Sequence, residues 1–582
     1  MASKKRYSKK GSPKKWLLLL SVALLLWGYC AASGSLFTFF EAAAQPVSDP
    51  VSETSDLSSD LVSEPDSFPE PENPKLAELK WLDENHEQYD SYVMGSPSAA
   101  AYNTEELNEY LNAAFFNLSI YSYAPKDYGD FAAYLLERYT VKNLVLNLDM
   151  SEAIHYYYED SGTDDRNEQD NEKIGDPDVY TSVYSEEFPE WQGTQQLPFI
   201  AECAQMVADI RDLCKEHGVR LIVINSPLYA TQWNLYDPSA LRAYKAILAD
   251  VVDYWDFSCT PMSFDSRYFY DPTHFRNTVG TMVLAEIFGN DEIYRPERFG
   301  AKVTSQNAQV YLNELFSNPP RPEADSYTAD VPVLLYHHIA EDADGIITVT
   351  PETFERHMCF LAENGYQAVT IQEMIDYVYH GGELPEKPVC ITFDDGYLSN
   401  YEYAWPVLQK YGLKATIYAI GSSIGHDRLY KDTEFELTPH FSYEQAREMM
   451  ESGVIDIQSH TYDMHQFAQF ESGDQIRETI IPLDDEDDAA YARALKADIR
   501  QYDRLARQEF GRSFVSLAYP KGQYAALTEE VVHDAGFLVT MSTQTDSRNI
   551  LVRGLPQSLY ALCRWYMTER TTSEGMLAVL GG

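Results

Sequence analysis

The chain has 582 residues, 45% of them hydrophobic and 13% aromatic. That is more than one domain usually takes and enough apolar material for two packed cores. Its 91 acidic against 44 basic residues leave a net charge of -47, a surface that repels phosphate backbones and excludes nucleic acid as a partner. Seven cysteines without a CxxC pair form neither an evident zinc site nor a disulfide framework.

The charge is unevenly spread. Residues 1–40 carry Lys4, Lys5, Arg6, Lys9, Lys10, Lys14 and Lys15 and no acid. The apolar run WLLLLSVALLLWGYCAA, followed by LFTFF, is long enough to cross a bilayer with the lysines inside. The expectation is a cytoplasmic basic tail at 1–15, a transmembrane anchor at 16–40 and an extracytoplasmic remainder, a single-pass protein of the cell membrane. A cleaved signal peptide, with AAA at 42–44 offering small residues, is the alternative and gives a secreted protein. Residues 41–78 form an acidic Pro/Ser-rich linker, since Glu41 to Pro74 holds nine acids, six prolines and no base and cannot bury enough surface to fold.

Residues 79–300 alternate strand-like and helical patterns. YDSYVMG (89–95), AAFFNLSI (113–120), KNLVLNLD (142–149) and VRLIVINSP (219–227) are predicted strands, and AECAQMVADIRDLCKEHG (201–218) a predicted helix ending on glycine. This pattern predicts a doubly wound α/β domain, interrupted by a polar insertion at 158–176. A linker at 301–330 contains SNPPRPEAD, and the pattern restarts at VPVLLYHHI (331–339). From 331 to 582 the alternation predicts a (β/α) barrel with catalytic residues at the C-terminal ends of its strands.

In this second half KPVCITFDDG (387–396) is an apolar run ending in two carboxylates and a glycine. A bare DDG is most often a turn. The later run VIDIQSHTYDMH (454–465) places His460 and His465 just past a strand end. Five residues apart on a helix they would diverge by about 140°, so a shared role needs a loop. One carboxylate and two imidazoles make an open three-ligand site suited to zinc, and also to iron or other divalent ions, and leave the second aspartate free as a base.

TFDDG (392–396), SHTYDMH (459–465) and SLAYPKG (516–522) resemble three motifs of the polysaccharide deacetylases, the NodB-homology proteins of carbohydrate esterase family 4, in the H-x4-H form of poly-N-acetylglucosamine deacetylases. The resemblance implies Asp394 as general base, Asp395, His460 and His465 as ligands of a divalent metal, most often Zn2+, and the backbone N–H of Lys521 as oxyanion donor. Two departures stand out. The arginine that precedes the proline in many members, holding the base, is absent from 513–520, and its orienting role is unassigned. The L-x-H motif is absent near the C-terminus, but Leu335-Tyr336-His337 has that spacing on the first strand, as in circularly permuted members, which implies His337 as general acid.

In the first half, YDSYVMGSPSAAAYN (89–103) and YFYDPTHFRNTVG (268–280) resemble the ends of SGNH-type hydrolase domains, especially those of alanylation proteins and polysaccharide O-acetyltransferases. Asp271 and His274 would be the acid and base pair. Pro97 occupies the expected nucleophile position, so either Ser98 serves after a one-residue shift or the ester chemistry is lost. The leading expectation is a metal-dependent N-deacetylase acting on an N-acetylated cell-surface polysaccharide. The alternatives are a glycan-binding or export-assisting surface protein with degenerate folds, and an O-acetyl esterase or transferase working through 79–300.

Overall fold

In the computed structural model the described residues are 79–119, 125–157, 188, 190, 192–322, 327–343, 346–431, 433–471, 475–543 and 548–581. The expected anchor at 16–40, the acidic linker up to 78 and the polar insertion at 158–176 lie outside them. Among the described residues no helix is long and apolar enough to cross a membrane.

The first half is built on six strands: β1 (Ser91–Gly95), β2 (Phe115–Asn117), β3 (Asn143–Leu148), β4 (Arg220–Asn225), β5 (Tyr254–Asp256) and β6 (Ala301–Val303), in the order β2-β1-β3-β4-β5-β6. All neighbours are parallel except β5 and β6. Period-two alternation feeds two cores. Tyr92, Met94, Leu144, Leu146 and Val223 pack on one face with the helices Tyr128–Arg138 and Ile200–His217. Val93, Val145, Ile222 and Ile224 pack on the other with Asn277–Phe288. The predicted helix at 201–218 forms as Ile200–His217, and Gly218 ends it at φ 71, a left-handed cap that suits glycine. The doubly wound expectation is therefore met in outline.

The second half contains β7 (Thr328–Asp330), β8 (Val333–Tyr336), β9 (His338–Ile339), β10 (Thr348–Val349), β11 (Gln367–Ala368) and β12 (Pro388–Asp395). Beyond these come β13 (Ala415–Ala419), β14 (Ile455–Ser459), β15 (Ser516–Ala518), β16 (Val539–Met541), β17 (Ile550–Val552) and β18 (Trp565–Tyr566). The main sheet follows the path β16-β15-β14-β13-β12-β8-β18, with β11 paired to β12. Every pairing in it is parallel. The path is open, not the fully closed barrel expected. A lone parallel bridge between Met541 and Leu562, just ahead of β18, links its two ends.

The two halves share a core. Val552 and Leu555 belong to the same apolar cluster as Phe269, Phe275, Val279 and Met282. The Tyr268 hydroxyl donates to the Arg553 carbonyl at 2.5 Å. The Arg553 guanidinium lies over the rings of Tyr377 and Tyr294, 4.3 and 5.6 Å from their centroids. Gly554 takes φ 68, which favours glycine, and a Cβ there would have to displace the Met282 methyl, 2.0 Å away.

Candidate metal centre

Parallel strands deliver their C-terminal ends to one side of a sheet, and the loops that follow meet there. His337 follows β8, Asp394 and Asp395 end β12, His460 follows β14, Lys521 follows β15 and Tyr566 ends β18. All six line one cavity of about 340 Å³, together with Tyr397, Phe467, Glu478 and Thr543.

Asp395, His460 and His465 offer ligand atoms within 4.8 Å of one another. His460 Nε2 stands 3.5 Å and His465 Nε2 3.8 Å from Asp395 Oδ1. That oxygen is buried and has no hydrogen-bond partner among the described residues, a costly state unless a cation takes it. Both imidazoles are fixed from behind. His460 Nδ1 meets the Ala518 carbonyl at 2.8 Å and His465 Nδ1 the Glu478 carbonyl at 3.0 Å. A carbonyl only accepts, so each Nδ1 carries a proton and Nε2 is the nitrogen turned to Asp395. Burial pulls the His460 imidazole down to about 4, leaving it neutral and free to ligate at neutral pH. Burial opposes ionisation of Asp395, but His337, His465 and His460 outweigh it and lower its pKa. The donor set fits a divalent cation.

The loop between the histidines is shaped by Asp498, on the Asp488–Phe510 helix, whose carboxylate accepts the backbone N–H groups of Tyr462 and Asp463 at 2.8 Å each. Burial raises this carboxyl to about 6. Three residues here other than glycine hold positive φ: Asp395 at 72, Thr461 at 68 and Lys521 at 56. Such strain persists only where surrounding contacts over-determine it.

Asp394 is held differently. Arg564 Nη1 and Nη2 donate to its Oδ1 and Oδ2 at 2.6 and 2.7 Å. Burial works against the charge, yet Arg564, with help from His460, keeps the carboxyl at about 2. The orienting arginine absent from 513–520 thus has a counterpart immediately before the last strand. A base inside the apolar run ALCRWYM was its one sequence signal, since a buried guanidinium needs an acidic partner.

His337 lines the cavity, its ring parallel to that of Tyr566 at 5.9 Å and 4°, and its Nδ1 has no hydrogen-bond partner among the described residues. His338 is outside the cavity lining and bonds the Ser399 hydroxyl through Nδ1 at 2.9 Å. Among the described residues no acceptor is recorded for the Lys521 backbone N–H.

The first half is arranged otherwise. Ser98 is fully buried and bonded to Ser96, Asn147 and Ser226 at 2.9, 3.0 and 3.1 Å. His274 Nδ1 pairs with Asp271 at 2.6 Å, partly exposed. No hydrogen bond joins His274 to Ser98 among the described residues.

A carboxylate whose oxygen is open to a cation, beside another that is buried yet ionised, is the equipment of a hydrolase that activates water. Comparison with known proteins narrows the class. The polysaccharide deacetylase family model matches residues 381–540. YxkH of Bacillus subtilis, described as a polysaccharide deacetylase, is 32% identical over 236 residues, 40% of this chain and 71% of that protein. A poly-beta-1,6-N-acetyl-D-glucosamine N-deacetylase of Staphylococcus epidermidis is 30% identical over 175 residues, 30% of this chain and 54% of that protein. The solved IcaB structure from Ammonifex degensii is 24% identical and aligns over 44% of this chain and 97% of its own, with a TM-score of 0.35. The chain belongs to the polysaccharide deacetylase family, hydrolases that act on the C–N bonds of N-acetylated polysaccharides.

Proposed function

We propose that the protein is a metal-dependent N-deacetylase that removes acetyl groups from N-acetylhexosamine residues of a cell-surface polysaccharide, of the poly-β-1,6-N-acetylglucosamine kind named for several of its relatives. The observation that carries this reading is the pairing, in one cavity, of the Asp395, His460 and His465 cluster with an Asp394 locked by Arg564.

A divalent ion, zinc by the chemistry of the donor set, would polarise the acetamide carbonyl and acidify a bound water. Asp394, ionised at neutral pH, accepts the proton of the attacking water. The Lys521 N–H donates to the oxygen on which negative charge develops. His337 protonates the departing amine, and Tyr566 beside it supports the ring. Acetate and a glucosamine residue are the products. The basic tail and apolar run at 1–40 support a single-pass anchor that presents this site outside the cell.

The test is acetate release by the full chain from N-acetylated against O-acetylated glucosamine oligomers, before and after metal removal. Release from the N-acetylated oligomer that disappears on chelation and returns with zinc is expected. Release from the O-acetylated oligomer alone would refute the reading.

A further inference from the structure

Between the metal ligands and the oxyanion loop runs a strap that neither role requires. Gln466, directly after the ligand His465, pairs with Arg477 twice: its N–H donates to the Arg477 carbonyl and its side-chain oxygen accepts the Arg477 N–H, both at 2.8 Å. The next residue, Glu478, then does two things. Its carbonyl accepts from His465 Nδ1 at 3.0 Å, and its carboxylate accepts from the Lys521 ammonium at 2.6 Å. Glu478, Lys521 and His465 all line the cavity.

We propose that Glu478 is a positioning residue that holds the oxyanion N–H of Lys521 in register with the ligand His465, an inference that rests on the oxyanion role given to Lys521 above. The reason lies in the backbone. Lys521 adopts φ 56 and ψ 15, a conformation that residues other than glycine and asparagine rarely keep unaided. The hydrogen bond from the Thr543 hydroxyl to the Lys521 carbonyl is long, at 3.4 Å. The ion pair with Glu478 is the short side-chain tether. Both of its side chains are about half exposed, 47% each, so the pair contributes little to folding, and a role in stability alone does not account for its place across the cavity rim.

The variants are Glu478→Gln, Lys521→Met and both together, in the full chain with zinc. Each single change is expected to lower kcat on N-acetylglucosamine oligomers about tenfold, less than the 10²–10³ lost when an oxyanion donor is removed outright. KM, zinc affinity by chelator competition and the thermal midpoint should stay unchanged. The double variant should be no worse than either single one, and a charge swap, Glu478→Lys with Lys521→Glu, should recover part of kcat. Amide hydrogen exchange across 519–524 should quicken in each single variant. That readout is independent of turnover, so quickened exchange in a chain that releases no acetate would sink the deacetylase reading and leave the tether standing. Unchanged exchange, additive losses of kcat, or a change in KM alone would overturn the proposal, the last by making the pair a substrate contact.

Discussion

Arg564 grips both oxygens of Asp394 from 170 residues further along the chain. The pair is buried, with side-chain exposures of 0% and 4%. Two charges in that setting are stable only together, because the desolvation of either alone is uncompensated.

Arg564→Leu should therefore act on chemistry and stability at once. Asp394 in the wild type has its pKa depressed to about 2, so it contributes stability that is present above the ordinary carboxylate value of about 4 and lost as the pH falls towards about 2. Without Arg564, burial is opposed only by the weaker pull of His460 and His337, and the carboxyl rises. The acid limb of kcat/KM should move to higher pH, and unfolding should cost about 3–5 kcal/mol less. Arg564→Lys keeps the charge but not the fork, and should shift the limb less. A pH–rate profile and denaturant unfolding would check both. An acid limb that did not move would mean that Asp394 is not the base.

Metal removal should abolish activity while the fold remains, because His460 and His465 lie on a loop past β14 and Asp395 is the last residue of β12. His460→Ala and Asp395→Asn should each lose zinc in equilibrium dialysis and reduce turnover to background, with circular dichroism unchanged. Full turnover by metal-free protein would contradict the assignment.

The adjacent histidines should separate cleanly. His337→Ala should lose on the order of 10²-fold or more on an N-acetyl substrate, since an amine leaves poorly without a proton. It should keep its zinc and much of its activity on an activated acetate ester, whose leaving group needs none. His338→Ala should change the thermal midpoint more than the rate, because its partner is Ser399 rather than the cavity.

A fragment beginning at residue 331 should be less stable than one beginning at 79. Removing the first half exposes Val552 and Leu555, which pack in its core, and each buried side chain of that size is worth about 1.5–3 kcal/mol. Comparing thermal midpoints and solubility of the two fragments would measure this. Equal midpoints would show the seam to be dispensable.

A serine-directed phosphonate should leave the chain unlabelled. Ser98 is sealed within its hydrogen-bonded cluster and out of hydrogen-bond contact with His274. Labelling lost in Ser98→Ala would show that the first half opens and retains ester chemistry.

What could be read from the sequence follows the range of each interaction. TFDDG and SHTYDMH display their carboxylates and imidazoles within a few residues of strand ends, and the structure brings Asp394, Asp395, His460, His465, His337 and Lys521 to one cavity. The choice of His337 over His338 rested on the L-x-H resemblance, since strand alternation requires only that one of the two face the cavity. Arg564 left only the trace of a base in an apolar run, since it stands just ahead of the two-residue β18 and its acidic partner lies in a distant strand. Asp498 and Glu478 were hidden for a similar reason: one bonds backbone groups across the fold, and the other uses its own carbonyl. The shared core escaped because Val552 and Leu555 read equally well as interior residues of their own half. The closed barrel was over-read from regular spacing, which registers alternation but not whether the two ends of the path, β16 and β18, pair along a full strand or through one bridge.

The stretch that carries Val552, Gly554 and Leu555 into the first half continues directly to Arg564. The guanidinium that holds Asp394, the base proposed above, is thereby carried on a segment anchored in masonry laid in another part of the molecule. A bulkier or smaller side chain at Met282, which abuts Gly554, touches no reacting atom. Its signature would be an altered acid limb in the rate profile with substrate binding intact. Changes scattered through the first half are therefore best sorted by the pH at which the second half works.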